Sequence, residues 1–185
     1  MNSAAELSVA VRALRNAGVI ACPTEAVWGL SCDPDNDEAL AKLMRLKERD
    51  PAKGVIVIAA HIDQLQPWLD GLPVALYAPL IASWPGPNTW LVPDNGRSHG
   101  LVRGAHERVA LRVTDHPTMV ALCREFGGPL VSTSANRAGQ PPAMSEQEIR
   151  RYFDGQLDAL VSGELGGNPR PSTIRDLVSG QVLRD

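Results

Sequence analysis

Aromatic side chains are scarce, at 4% of the 185 residues, so any platform that stacks single-stranded RNA bases has to be small. Cysteine is both scarce and odd in number. Cys22, Cys32 and Cys123 form no Cys-x-x-Cys pair, and His61, His99, His106 and His116 show no ligand spacing beside them. That argues against a disulfide framework and against structural zinc, and no metal ligand is assigned. The three thiols read as small apolar residues kept reduced. No apolar run approaches a membrane span, and the N-terminus lacks a basic-then-apolar leader. The chain is therefore expected to be soluble and cytoplasmic, with no membrane partner. A cationic excess is also missing: 18 Lys and Arg face 21 Asp and Glu, for a formal charge of −3. This disfavours whole-surface binding of nucleic acid and leaves room for a local basic face.

Several nucleotide and nucleophile motifs are absent as well. Without Gly-x-x-x-x-Gly-Lys-Ser/Thr, any nucleotide is held by something other than a P-loop. No Gly-x-Gly-x-x-Gly follows the first predicted strand, and no serine-centred nucleophile elbow occurs. Repeats, low-complexity tracts and linkers are lacking too. Residues 1–185 thus read as a single domain, with 44% hydrophobic residues to fill its core.

What is present alternates between helical and strand periods. Ser3-x-x-Glu6 has the form of a capping box before a helix whose inward stripe is Leu7, Ala10, Val11 and Leu14. Val19–Cys22 reads as a buried strand. A second helix starts near Asp35–Asp37 and closes on Lys47, Arg49 and Pro51, charge that suits a helix C-terminus. Val55–Ala59, Val109–Val113 and Leu130–Thr133 read as strands, and helical patterns cover 62–69, 74–82 and 115–126. Ser145-x-x-Glu148 is a second capping box, and short strands over 159–162, 172–176 and 181–183 close the chain. Asp94–Glu107, rich in Gly, Arg and His, reads as a mobile loop. The alternation predicts an α/β fold with a twisted, mostly mixed sheet and flanking helices.

Three segments place polar groups just after apolar runs: Pro23–Leu30, Lys47-Glu48-Arg49, and Ser132–Asn136. Together they offer donors for several anionic oxygens on a small molecule. Arg112 is the sharpest single residue, because strand alternation puts it beside Ala110 on one face. A guanidinium there needs an anion, which is either an internal carboxylate or a ligand's carboxylate or phosphate. Ser132 and Ser134 share a face at a strand end, where open α/β sheets bind ligands, although Ser/Asn turns also look like this. Lys42, Arg45, Lys47, Arg49 and Lys53 form a cationic cluster that suits either a solvated helix face or phosphate. No residue clearly serves as a general base; Glu25 is a geometric candidate only, and a free amine needs none.

Read in order, these segments resemble the YrdC/TsaC family of threonylcarbamoyl-AMP synthases. The resemblance runs from about Val19 to Arg184. Its further markers are Trp84-Pro85-Gly86-Pro87 with Thr89, the run Arg112–Pro117, the Ser-x-Asn at Ser134 and Asn136, and Ser172-Thr173-Ile174. It implies a YrdC-like sheet around a concave cavity. It also implies condensation of L-threonine, bicarbonate and ATP to threonylcarbamoyl-AMP, with Mg²⁺ accompanying the ATP and pyrophosphate released. Lys47, Arg49, Ser132, Ser134, Asn136 and Arg184 would line the ATP side, Lys47 and Arg49 acting in catalysis. Thr24, Arg112 and Ser172 would fall on the threonine side.

The product would pass to the complex that places threonylcarbamoyl on the adenosine beside the tRNA anticodon. The chain departs from the family at Trp28, where many members carry Tyr, which implies a bulkier cavity wall. It departs again at Ile58, where some members carry a threonine-contacting His. Ending at Asp185, it is expected to be the short form. Two rival functions stay open at this level. One is a double-stranded RNA-binding or ribosome-maturation module that uses a basic concave face. The other is a paralogous YrdC-like branch with different carbamoylating activity.

Overall fold

Local chemistry sets the helix boundaries in the structure, a computed structural model that describes residues 4–168 and 170–184. The capping box proposed at Ser3 lies outside the described residues. The helices are α1 (Ala4–Arg15), α2 (Asp37–Lys47), α3 (Gln66–Leu69), α4 (Tyr77–Ser83), α5 (Gly100–Arg103), α6 (Pro117–Phe126) and α7 (Glu146–Phe153). Asn36 opens α2 by accepting from Ala39 N at 2.9 Å, and Glu48 ends it in the left-handed conformation at φ 51°. At α7 the cap expected at Ser145 forms, Ser145 Oγ accepting from Glu148 N, and the Glu148 carboxylate reaches back one residue further than a capping box does, accepting from Met144 N at 2.6 Å. The patterns over 62–69 and 74–82 each divide, a turn of 3₁₀ helix (Ile62–Leu65 and Val74–Leu76) preceding α3 and α4.

The strands are β1 (Ile20–Pro23), β2 (Trp28–Ser31), β3 (Ile56–Ala59), β4 (Asn88–Pro93), β5 (Arg108–Val113), β6 (Leu130–Ser134), β7 (Ala159–Leu160), β8 (Thr173–Asp176) and β9 (Val182–Arg184). They form one mixed sheet in the order β7-β1-β2-β6-β3-β5-β4-β8-β9. β1–β7, β3–β5 and β4–β8 pair parallel, and the other neighbours pair antiparallel.

Alternation decides what each face does. On one face Ala21, Leu30, Val57, Leu111 and Val131 pack against Leu40 and Leu43 of α2, Leu69 of α3, Leu80 of α4 and Phe153 of α7. On the other face α1 and α6 cover only part of the sheet. Leu14, Met119 and Leu122 meet Ile20, Cys22, Ile58 and Leu130 there. Two residues further along β3 and β6, that same face carries Ile56 and Ser132, in register with each other, with Ala110 beside Ile56. No described helix roofs these positions, and a cavity opens there. The helical cover of this face therefore stops where the cavity begins.

Candidate functional site

The cavity has a volume of about 1070 Å³ and lies over β6, β3, β5, β4, β8 and β9. That is the upper end of the range for small-molecule sites, with room for a nucleotide and a second ligand. Of the residues singled out in the sequence, Thr24, Arg49, Arg112, Ser132, Ser134, Ser172 and Arg184 line it. Lys47 and Asn136 sit behind that lining, bonded to Ser134.

Lys47 is the last residue of α2, and its ammonium is buried, with 3% of the residue exposed. Nζ donates to Ser134 O, to Asn136 O at 3.0 Å and to Asn136 Oδ1 at 3.4 Å. Three donors meet three acceptors, so the side chain fastens the turn after β6. Ser134 Oγ donates to Asn136 Oδ1 at 2.6 Å, which ties the Ser-x-Asn motif to the same lysine. Burial, and then the nearby Arg49 guanidinium, lower the Lys47 pKa to about 7. Arg49 Nε donates to Gly54 O at 2.9 Å, and burial lowers its pKa as well. The α2 end thus presents cationic and hydroxyl groups at the lip of β6, a setting for phosphate oxygens.

The opposite end is built around Arg112. Its Nε donates to Gly86 O at 3.0 Å, and Nη2 forms an ion pair with Glu25 Oε1. Thr114 Oγ1 donates to that same carboxylate oxygen and accepts from His116 N at 3.0 Å. Glu25 and Arg112 are 5% and 8% exposed, yet both line the cavity. Among the described residues, Glu25 Oε2 has no hydrogen-bond partner, whereas Arg112 Nη2 is engaged by Glu25 Oε1 in the ion pair. Beside them Arg184 donates to Ser172 O at 2.7 Å, and Ser172 Oγ bonds Thr89 Oγ1 at 2.8 Å. Burial and then Arg112 lower the Arg184 pKa. Thr24 Oγ1 donates to Val27 O at 2.6 Å and fixes the turn that carries Glu25. The connection from β7 to β8 passes over this end, with Gly166 N on Thr24 O and Asn168 N on Glu25 O.

Of the two anion sources left open for Arg112, the structure supplies an internal one, Glu25. Glu25 sits in the Pro23–Leu30 segment, and its place in that run was the one signal available. Trp28 is not a cavity wall: it is buried in the core opposite, and its neighbours Val27 and Gly29 line the cavity instead. Ile58 is roofed by α6, so Ile56 is the β3 residue that a ligand can touch. The segment Asp94–Glu107 carries α5 and is tied down at several points. Arg97 pairs with Asp35 at 2.6 Å and lies 4.4 Å over the Trp68 ring, and His99 Nε2 lies 3.1 Å from Asp37. No three His, Cys, Asp or Glu side chains among the described residues gather as a metal cradle, and no described helix is long and apolar enough to cross a membrane.

Fold and cavity together define an α/β protein with a small-ligand cleft, polar and cationic at both ends. The Sua5/YciO/YrdC profile, described as "telomere recombination", matches residues 12–185, and the chain belongs to that family. A threonylcarbamoyl-AMP synthase of Chromohalobacter salexigens is 60% identical over 182 residues, covering 98% of each chain. One from Cellvibrio japonicus is 54% identical over 96% of this chain and 94% of its own. Among solved structures, P. abyssi Sua5 complexed with L-threonine superposes at a TM-score of 0.87 with 24% identity. That match covers 95% of this chain and 52% of the Sua5 chain, about half its length.

Proposed function

We propose that this protein is an L-threonylcarbamoyladenylate synthase. It condenses L-threonine, bicarbonate and ATP, releases pyrophosphate and serves threonylcarbamoyladenosine modification of cytoplasmic tRNA. The chain is an enzyme, and its reaction class is nucleotidyl transfer. The observation that carries this reading is the two-ended cavity, in a chain whose near-full-length relatives bear the synthase name. One end offers Arg49, Ser132 and Ser134 with Lys47 and Asn136 behind them, and is assigned to ATP. The other offers Thr24, Arg112 and Ser172, and is assigned to threonine. Arg184, bonded to Ser172 at the Arg112 end, is assigned to the nucleotide as the family resemblance implies.

The chemistry explains why such a site suffices. Threonine's neutral amine adds to CO₂ from bicarbonate, and the resulting carbamate oxygen attacks the α-phosphorus in line. Two anions must approach, so the protein's task is neutralisation and alignment rather than covalent catalysis. Arg49 and Lys47 supply charge at the phosphates, as phosphoryl-transfer sites commonly do. The cation-lined cavity suits anionic oxygens rather than a protein-held divalent ion, so Mg²⁺ is assigned to the nucleotide's phosphates, where it offsets their charge. Lys53, Arg103 and Arg170 at the cavity wall support a secondary contact with structured RNA on the same concave face. The product passes to a tRNA threonylcarbamoyl-transfer complex.

The test is pyrophosphate release from ATP, with threonine and bicarbonate each omitted in turn. Release that requires both is the expected result. Release that ignores threonine, or none at all, would overturn the assignment.

A further inference from the structure

We propose that His116 is a positioning residue of this site. Its imidazole holds the β7–β8 connection against the turn that carries Thr24 and Glu25, and so sets the geometry of one end of the cavity from behind. The proposal rests on the synthase reading above; His116 itself does not line the cavity.

The imidazole is not used by its own helix. His116 is the N-cap of α6, a position whose side chain ordinarily accepts from a first-turn amide. Here it makes no such bond, although the residue is only 4% exposed. The ring meets the β7–β8 connection instead, with Nε2 3.2 Å from Glu164 O. A carbonyl only accepts, so Nε2 carries the hydrogen in this contact. Nδ1 has no hydrogen-bond partner among the described residues, which leaves Nε2 as the ring atom that acts. The connection has no regular secondary structure over 161–168, so its course depends on the few groups that hold it. Gly166 shows how closely the surfaces meet: a Cβ there would lie 3.2 Å from His116 Cδ2 and 3.0 Å from Glu25 Cα.

Two routes lead from His116 to the same turn. The first runs through the connection. The ring holds Glu164, and just beyond it Gly166 N donates to Thr24 O at 3.0 Å and Asn168 N to Glu25 O at 2.9 Å. The second runs through the main chain. His116 N donates to Thr114 Oγ1 at 3.0 Å, which directs that hydroxyl's own hydrogen to Glu25 Oε1, the oxygen that also holds Arg112. Backbone and carboxylate of Glu25 are thus braced from one residue. Replacing the ring cuts only the first route, because the amide of residue 116 stays. Lys47, Arg49 and Ser134 at the other end share none of these contacts, so the effect is confined to one substrate.

The experiment measures steady-state pyrophosphate release in wild type, His116→Leu and His116→Gln, with folding checked by circular dichroism. Leucine fills the ring's space without a donor, whereas glutamine places an N–H close to where Nε2 stands. Loss of one hydrogen bond corresponds to about 3- to 10-fold. His116→Leu should raise the KM for threonine by that factor and leave the KM for ATP unchanged, and His116→Gln should restore the wild-type value. An equal rise in both KM values, no rise at all, or a glutamine variant no better than leucine overturns the proposal. Should His116→Leu fail to fold, Gly166→Ala carries the test, because it crowds the same contact with the imidazole intact. A threonine KM equal to wild type in that variant overturns the proposal as well. A wild type that releases no pyrophosphate with both substrates present overturns the synthase reading and this proposal with it.

Discussion

Nucleotide binding should pull a proton onto Lys47. In the free protein, burial and then Arg49 bring this lysine to a pKa of about 7, from an ordinary 10.5. A polyphosphate arriving at Arg49 and Ser134 adds negative charge beside it and restores the ammonium. At pH 8 a group of pKa about 7 is roughly one-tenth protonated, so full charging takes up about 0.9 proton per nucleotide; at pH 6 the same step takes up about 0.1. Calorimetric titration with ATP in two buffers of different ionisation enthalpy reads this number directly. Subtracting the uptake by Lys47→Met removes the nucleotide's own ionisation. An uptake at pH 8 that is near zero, or equal in the variant, would refute the reasoning. The same shift has a signed effect on stability. Between pH 7 and pH 10.5 the unfolded lysine holds more protons than the folded one, so stability rises with pH across that window. From pH 7 to pH 9 the gain is about 2 kcal/mol, and it should be missing from Lys47→Met in urea titrations.

Four further outcomes follow from the geometry. Arg49→Ala should raise the KM for ATP by about 10- to 100-fold with threonine affinity unchanged, as steady-state pyrophosphate release would show. Arg112→Ala leaves Glu25 buried and unpaired, so we expect about 3–5 kcal/mol of lost stability in denaturant titration and weakened threonine binding. Normal stability would mean that the pair contributes nothing to the fold. Gly104 has φ +69°, and a Cβ there would lie 2.4 Å from Ala52 O; Gly104→Ala should therefore cost about 3 kcal/mol, readable as a lowered Tm. Burial raises all three thiol pKa values, Cys22 and Cys123 to about 12, so a thiol reagent at pH 8 should modify none of them until the protein unfolds.

Strand alternation proved informative about faces and silent about partners. The Val109–Val113 run placed Ala110 and Arg112 on one side, and both line the cavity. The carboxylate that meets Arg112 comes from the β1–β2 turn, and no local period encodes a contact between segments so far apart in the chain. Lys47 shows a similar limit. Position in the last turn of α2 predicted a cation near a ligand, but the helix end is pressed against the turn after β6, and the ammonium is spent on backbone carbonyls. Trp28 and Ile58 were legible as apolar and β-prone. Which side of the sheet each would face, and whether a helix would roof it, depended on register and on where α6 ends. The capping box at Ser145 was readable because a cap is local; its serine accepts from Glu148 N as expected, while Glu148 takes the amide of Met144, one residue before the cap.

The route from β7 to β8 ties distant parts of the sheet to one end of the cavity. β7 lies at one edge of the sheet, whereas β8 lies seven strand positions away, beside β4. At about 4.8 Å per step that separation is roughly 34 Å measured along the sheet. On the way Gly166 N donates to Thr24 O and Asn168 N to Glu25 O. A substitution that disturbs those two contacts would therefore be felt first at the Arg112 end, through the turn that carries Glu25, although it lies more than a hundred residues from that turn in the chain.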